Sequence, residues 1–219
     1  MYLLVCRLAG YDNIVHLIHF AITMKHLLPL SAAAFLLVAC TDTTGLSKES
    51  SRTVRGNADA VVTVSEFADL QCPACRVAHG KISAPLLEKY PSQIRFEYKH
   101  FPLRSLHRYA LEAAMAAECA ADQGKFWEYI DLVYAEQQKL DVMQLSEWAK
   151  MLSLDAGLFD RCLKSEIKRE TVLADYEAGS ELGVSGTPTY FVNGEKVESG
   201  FDTVSAAIDA VLGGGMQKL

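Results

Sequence analysis

The sequence contains two cysteines three positions apart, in Cys72-Pro73-Ala74-Cys75. This is the part of the chain whose residue types and spacing are best suited to chemistry. A β-branched run over residues 61–67 precedes them and predicts a buried strand. The segment after them has apolar residues at roughly helical spacing, namely Val77, Ile82, Leu86 and Leu87. Cys72 is therefore predicted at the N-terminus of a helix, where Pro73 fits the first turn.

A helix N-terminus changes the chemistry of a cysteine. Backbone N–H groups without partners and the positive end of the helix dipole stabilise a thiolate there, and the thiolate is the nucleophile in disulfide exchange. Two cysteines one helical turn apart can also close a small reversible disulfide. We predict a redox site in which Cys72 is exposed and attacks, whereas Cys75 lies behind it and resolves.

Two other interpretations of the cysteine pair are weaker. A zinc site needs two further Cys or His ligands at a recognisable spacing, and neither Cys119 nor Cys162 belongs to a second such pair. A purely structural bridge is disfavoured because a helix N-terminus after a strand is the wrong place for an inert disulfide. We therefore expect no metal and no cofactor.

Length and charge narrow the class of protein. The chain has 219 residues, 50% of them apolar, which is enough for one domain of good size and a tail or targeting segment. Its net charge is −6 and it has no basic block, so nucleic acid is not an expected partner.

The N-terminal part has the pattern of an export signal. Residues 24–39 combine a short positive start with an apolar stretch too short to be a comfortable membrane span. The ending before Cys40 resembles the lipobox of bacterial lipoproteins, which implies that Cys40 is lipidated and becomes the mature N-terminus; an ordinary cleaved signal is the alternative. Residues 1–23, which include Cys6, are interpreted as a wrongly assigned upstream start. The Ser- and Thr-rich residues 40–55 are predicted to be a flexible tether.

The order of elements predicts the fold class. Residues 94–100 alternate between apolar and polar, which completes a β-α-β unit, and the pattern is only helical from residue 106 to 183. Strand character returns over 189–192, followed by a hairpin turn, a second strand and a last helix. We predict an α/β thioredoxin fold built from residues 56–105 and 184–213, with 106–183 as an all-helical insertion.

Four ordered motifs resemble the DsbA family of thiol:disulfide oxidoreductases: FADLQCPAC at 67–75, KHFPL at 99–103, GKFW at 124–127 and GVSGTPTYFVNG at 183–194. The resemblance implies an enzyme that acts outside the cytoplasm, on the periplasmic side of a bacterial membrane, on the cysteines of exported proteins. It also implies a membrane redox partner that recycles the disulfide, and we expect a monomer.

The resemblance assigns roles to individual residues. Cys72 matches the family's nucleophile, Cys75 its resolving cysteine, and Pro188, after Thr187, its cis-proline beside the active site. Glu66 falls where related proteins keep a buried acid that can relay the proton of Cys75; a solvated glutamate at a strand end is the alternative.

One residue departs from the family pattern. Well-known members have histidine before the second cysteine, whereas this chain has Ala74. Without that imidazole, the pKa of Cys72 is predicted to be depressed only to the order of 4.5 to 6.5.

Two cysteines remain, Cys119 and Cys162, each within an apolar helical pattern. An exported domain rarely leaves two thiols unpaired beside its own oxidising site, so we predict a structural disulfide between them. Two buried free thiols are the alternative, because cysteine also packs as a small apolar residue.

The direction of electron flow is not determined by these residues. An oxidase is favoured, while a disulfide reductase or isomerase of the same fold is the nearest alternative, because the two residues between the cysteines set much of the thiolate's stabilisation. A peptide-binding or chaperone module without turnover is the alternative from another class, and retention of both cysteines argues against it.

Overall fold

The computed structural model of the protein describes residues 43–215. Its strands are β1 (Arg55–Gly56), β2 (Val62–Ala68), β3 (Ile94–His100), β4 (Thr189–Val192) and β5 (Glu195–Val197). Its α-helices are α1 (Pro73–Ala78), α2 (Ala84–Lys89), α3 (Ala110–Ala121), α4 (Phe126–Ala135), α5 (Val142–Met151), α6 (Ala156–Ser165), α7 (Arg169–Glu181) and α8 (Phe201–Gly215). The hypotheses about residues 1–39 and about lipidation of Cys40 lie outside the described residues.

The strands form one sheet in the order β1-β3-β2-β4-β5. β2 pairs in parallel with β3 and antiparallel with β4, and β1 and β5 are antiparallel edge strands. β2 is central, which explains its β-branched composition: Val62 and Val64 are fully buried. The predicted thioredoxin fold, β-α-β then β-β-α around a helical insertion, is confirmed.

The helix that follows the cysteines is not uniform. A π-helical segment, His79–Ser83, separates α1 from α2. The wider turns rotate later side chains relative to earlier ones. Ile82 and Leu86 are buried as expected, but Val77 is 58% exposed, so placing it on the same apolar face was wrong.

The insertion packs around α3, an alanine-rich helix with nearly every residue buried. Small side chains allow other helices to approach closely on several sides, and α3 contacts α4, α5, α6 and α7. Cys119 on α3 and Cys162 on α6 form a disulfide with an S–S distance of 2.01 Å. α7 returns the chain to the sheet, where Gly179 leaves room for the rings of Phe67 and Phe101.

Residues 48–55 form an ordered strap across the insertion, so the flexible tether predicted over 40–55 was wrong for this part. The strap's backbone carbonyls accept hydrogen bonds from Thr171 (2.6 Å), Lys168 (2.6 Å) and Trp127 (2.8 Å). Arg55 continues into β1 and pairs with Asp131 on α4. A polar composition predicted disorder, but these polar groups find partners supplied by distant helices.

Arg52 connects the strap to two buried acidic residues. Its guanidinium donates to Glu118 on α3 (2.9 Å) and to both carboxylate oxygens of Asp175 on α7 (2.5 and 2.8 Å). His100, at the end of β3, contacts the same two acids through its ring and its backbone N–H. One cluster of charges therefore joins the strap, the insertion and the sheet.

No helix within residues 43–215 combines the length and the apolar character needed to cross a membrane. In the same part of the chain, no three His, Cys, Asp or Glu side chains are placed to hold a metal ion.

Candidate active site

The redox turn, residues 72–75, follows the carboxyl end of β2. Cys72 is the N-cap of α1 and Pro73 takes the first helical position. The Cys72 N–H donates to the Asp69 carbonyl (3.0 Å), which turns the chain from strand to helix. Both cysteines are free thiols, so the structure shows the reduced pair.

The exposure of the two cysteines differs from the expected arrangement in one respect. Cys75 is fully buried, as expected of the inner thiol, but Cys72 is only 7% exposed, so the expectation of an exposed Cys72 was wrong. The Thr187 carbonyl covers it at 3.5 Å from the Cys72 sulfur. The Cys72 sulfur is therefore mostly covered in this structure.

The peptide bond between Thr187 and Pro188 is cis. It lies in the segment that leads from α7 into β4, and it brings the Thr187 carbonyl to the redox turn. The Thr187 hydroxyl oxygen is buried and has no hydrogen-bond partner among the described residues. The structure thus brings together Cys72, Cys75, Thr187 and Pro188, four of the residues expected at the site.

The pKa of Cys72 is lowered to about 5. The largest cause is the hydrogen bond from the Cys75 thiol, burial opposes it, and Thr187 and the backbone N–H groups of Cys75 and Ala74 act in the same direction as Cys75. The value lies within the predicted range. At neutral pH Cys72 is a thiolate without any help from a histidine at position 74.

The pKa of Cys75 is raised. Burial is the main cause, and the neighbouring Cys72 adds to it because it accepts the Cys75 proton. The Asp69 N–H, 3.5 Å from the Cys75 sulfur, opposes this only in part. Two thiols in one helical turn therefore have opposite protonation states at neutral pH.

Glu66 is 1% exposed, so the alternative of a solvated glutamate was wrong. Ser83 donates to its Oε2 atom (2.8 Å) and also lies 2.8 Å from the Tyr190 hydroxyl, whereas Oε1 has no partner among the described residues. Burial raises the pKa of Glu66, and the hydrogen bond from Ser83 and the charge of His79 oppose this.

Glu66 and Cys75 belong to the same buried centre. Burial is the main cause of the raised pKa of three tyrosines, Tyr98, Tyr134 and Tyr190, and the ionised forms of Glu66 and Cys75 both add to it. Coulomb interactions are stronger in a protein interior than in water. A carboxyl group that holds a proton at higher pH than usual thus shares its electrostatic neighbours with the thiol that must gain or lose one.

Two side chains that position the redox turn were not predicted. Gln137, from a 3-10 turn of the insertion, donates to the Leu70 carbonyl (2.8 Å) and the Cys72 carbonyl (3.0 Å). Asp69, 1% exposed, accepts from the Gln71 N–H (2.8 Å). Asp69 stands directly after a strand and near the cysteine pair, which was a usable signal; Gln137 carried none.

Cys119 and Cys162 are 1% and 2% exposed and bonded to each other. They join two helices of the insertion, and as a closed disulfide they have no thiol to ionise. The arrangement at the redox turn can instead exchange a disulfide, since it combines a thiolate, a buried thiol and a proton-holding acid.

Comparison with known sequences agrees with this site. A family model described as thioredoxin matches residues 48–210. The chain is 41% identical over 157 residues to the Na(+)/H(+) antiporter NhaA 3 of Salinispora tropica, and the match covers 71% of this chain and 24% of that protein. The chain therefore spans about a quarter of the length of the curated relatives it matches.

Comparison with solved structures confirms a DsbA-type fold. The α-DsbA1 protein of Wolbachia pipientis has a TM-score of 0.67 at 21% identity, over 76% of this chain and 93% of that one. MdbA, a thiol-disulfide oxidoreductase from Corynebacterium diphtheriae, has a TM-score of 0.59 at 18% identity, over 77% of this chain and 100% of that one. Because the family model includes the redox turn, the cis-proline and most of the insertion, this chain belongs to the thioredoxin family.

Proposed function

We propose that this protein is an extracytoplasmic thiol:disulfide oxidoreductase that exchanges a Cys72–Cys75 disulfide with the cysteines of exported proteins, acting as an oxidase. The observation that carries the proposal is the contrast between the two thiols: the pKa of Cys72 is lowered to about 5 while that of Cys75 is raised. A pair with two opposite protonation states has one nucleophile and one resolving group.

The reaction begins with the oxidised pair. A substrate thiolate attacks the sulfur of Cys72, a bond forms between the two sulfurs, and the Cys72–Cys75 bond breaks with its electron pair going to Cys75. A second substrate thiolate then attacks the substrate sulfur of the mixed disulfide. The substrate disulfide forms, Cys72 leaves as a thiolate, and two electrons have passed to the protein.

Glu66 supplies the proton that this series of exchange steps needs. Cys75 leaves with a raised pKa, so it is a poor leaving group unless it is protonated as the bond breaks. The raised pKa of Glu66 lets it hold a proton for this purpose, with Ser83 orienting the carboxyl group. Once protonated, Cys75 does not attack the mixed disulfide, and the second substrate thiolate resolves it.

The direction follows from the stability of the reduced form. Stabilising the Cys72 thiolate favours the reduced protein, which makes the disulfide a stronger oxidant. A reductase or isomerase would need that thiolate to be less stabilised. Strongly oxidising and strongly reducing proteins of this fold differ in reduction potential by about 150 mV, roughly 7 kcal/mol for two electrons.

The location outside the cytoplasm is proposed on two grounds. The buried Cys119–Cys162 disulfide is of a kind that persists in oxidising compartments. The sequence before residue 40 has the pattern of an export signal, and lipidation of Cys40 would hold the domain at a membrane surface. A redox partner in that membrane would return the reduced pair to the disulfide.

The test compares wild type with Cys72→Ser and Cys75→Ser. The oxidised wild type is expected to form disulfides in a reduced model protein, Cys72→Ser is expected to be inactive, and Cys75→Ser, loaded by a preformed disulfide, to retain a mixed disulfide on Cys72. A binding module would show no electron transfer in any of the three. The reduction potential then separates the directions, because a value as low as that of thioredoxin, about −270 mV, contradicts the oxidase assignment.

A further inference from the structure

The loop between β3 and α3, residues 102–109, is fastened to the redox turn. The Leu103 N–H (2.9 Å) and the His107 ring (2.8 Å) both bond to Oδ2 of the buried Asp69, three positions before Cys72. The Tyr109 N–H donates to Gln71, the residue directly before Cys72 (2.6 Å). These contacts at both ends fix the β3–α3 loop against the reacting cysteine.

The other side of the loop faces the segment that carries the cis-proline. Leu103 and Tyr176 pack against a small apolar cluster that includes Val184, four residues before Pro188. Arg104 places its guanidinium 5.9 Å from the centre of the Tyr176 ring. The β3–α3 loop therefore contacts both the residues just before the redox turn and the apolar cluster that includes Val184.

The tip of the loop is cationic and partly apolar. Leu106 is 74% exposed, and Arg104 and Arg108 on either side of it are also exposed. No carboxylate among the described residues pairs with either guanidinium; each makes only a contact with an aromatic ring, Arg108 with that of Tyr109 at 5.3 Å.

Most other charges of the chain are used differently. Arg52, Arg55, Arg95 and Arg169 each pair with a carboxylate. In a protein with a net charge of −6, two unpaired guanidinium groups on a loop bonded to Asp69 and Gln71, just before Cys72, are a local reversal of sign. Such a reversal attracts negatively charged partners and repels positive ones.

We infer that the β3–α3 loop selects extended polypeptide substrates that have acidic residues and an apolar residue close to the reacting cysteine. The inference rests on the proposed function and names its substrate class. Arg104 and Arg108 would pair with the substrate carboxylates, and Leu106 would cover the apolar side chain. The guanidinium groups also stabilise the incoming thiolate, which acidic neighbours would otherwise disfavour.

The experiment uses the full chain in its oxidised form and two dithiol peptides. The peptides share their length, cysteine spacing and one leucine, and differ only in carrying Asp and Glu or Lys and Arg beside the cysteines. The readout is the ratio of the kcat/KM values for the two peptides within each protein variant, which does not depend on the fraction of active protein. Wild type should prefer the acidic peptide by about fivefold to tenfold at low salt, and the preference should shrink near 1 M salt, where the Debye length is about 3 Å.

The decisive variant is Arg104→Glu with Arg108→Glu, which should invert the preference so that the basic peptide is oxidised faster. The matched control is Lys150→Glu with Lys164→Glu, which changes the net charge equally on exposed positions of α5 and α6 and should leave the ratio unchanged. If both double variants change the ratio alike, the preference reflects net charge and the inference is wrong.

Two further outcomes would overturn the inference. Equal oxidation of both peptides by wild type removes the substrate preference while leaving the proposed function intact, whereas oxidation of neither peptide contradicts the proposed function itself. Anionic phosphatidylglycerol vesicles test a different use of the same side chains. If wild type binds them, the Arg104 and Arg108 variant does not, and the peptide ratio is the same in both, the tip is a membrane contact rather than a substrate contact.

Discussion

Two buried glutamates in this protein have pKa values shifted in opposite directions. Glu118, where the strap meets the insertion, has both carboxylate oxygens bonded, to Arg52 and His100 on one side and to Ser50 on the other. Burial favours its neutral form, but these partners outweigh burial and lower its pKa to about 2. Glu66, beneath the redox turn, has one oxygen without a partner among the described residues, and burial raises its pKa.

The difference shows that partners, rather than depth, decide what a buried acid does. Glu118 is a permanent anion that holds the strap, α3 and β3 together, and it has no proton to exchange near neutral pH. Glu66 has no cation bonded to it among the described residues, so it can hold a proton and release it. The two cysteine pairs follow the same division: the bonded pair lies in the insertion with Glu118, and the free pair follows the strand that carries Glu66.

The largest expected effect comes from removing the cation shared by two buried acids. Arg52→Ala leaves Glu118 with fewer partners and Asp175 without its bidentate partner, so the free energy of unfolding should fall by about 5 kcal/mol, the upper end for a broken buried pair, because two acids lose the same cation. Urea denaturation measures this. Arg95→Ala is the matched control, because its pair with Glu97 is more exposed and should contribute less than about 1 kcal/mol. If both variants lost the same free energy of unfolding, the cluster of Arg52, Glu118 and Asp175 would contribute no more to stability than an exposed ion pair.

The second effect concerns the bonded cysteines. Replacing Cys119 and Cys162 by Ala opens a loop closed over a separation of 43 residues, which the chain-entropy relation values at roughly 4 kcal/mol. The reaction of Cys72 should persist under conditions in which the variant stays folded, since neither residue touches the redox turn. Denaturant midpoints together with thiolate absorbance at 240 nm test both parts; an unchanged midpoint would mean that the bridge does not contribute to stability.

The third prediction uses pH to separate the two glutamates. Because the folded-state pKa of Glu66 is above its ordinary value of 4.5, its contribution to stability is fully present below about pH 4.5 and is lost as pH rises through the raised pKa. In Glu66→Gln this loss should disappear, so the reduced variant should be more stable than the reduced wild type at the alkaline end of the pH range. Denaturation of the reduced protein across pH is the measurement.

Glu118→Gln is the matched comparison for that experiment. The folded-state pKa of Glu118 is below its ordinary value of 4.5, so its contribution is present above about pH 4.5 and is lost as pH falls towards about 2. The free energy of unfolding should therefore depend less on pH at the alkaline end in Glu66→Gln and less on pH at the acidic end in Glu118→Gln. Flattening of the same end by both would contradict the assigned ionisation states.

The smallest expected effect concerns the residue before Cys75. Ala74→His places an imidazole near the Cys72 thiolate and should lower its pKa below the present value of about 5. A tenfold gain in thiolate stability is worth about 1.4 kcal/mol and should make the reduction potential about 30 mV less negative. Ala74→Gln is the neutral control and should change neither quantity, and an equal shift in both variants would exclude charge as the cause.

The alternation of apolar and polar residues along the chain predicted much of the sheet and part of the site. β3 was predicted with the observed bounds, and β2 within one residue. Within β2, Val62, Val64 and Glu66 are two positions apart and so share one face, which explains why an acid in an apolar strand is buried.

Contacts between distant parts of the chain could not be predicted in the same way. Gln137 lies in a short turn of the insertion and gains its role only because the fold places that turn over the Cys72 carbonyl. His107 is the only histidine of the β3–α3 loop, with no spacing that points to Asp69. The strap has the composition of a disordered segment, and its order depends on Arg52 meeting acids that local sequence does not reveal.

The strap also sets an order of events during synthesis. Its partners for Arg52 lie 66 and 123 residues further along the chain, so the strap is synthesised before both of them and is among the last parts to find its contacts. Closing such long loops is slow compared with forming local helices. A growing chain that has not yet reached Asp175 carries the strap undocked, accessible to proteases and to processing enzymes. Docking of the strap then marks completion of the insertion, and its protection against hydrogen exchange should appear only after α7 has formed.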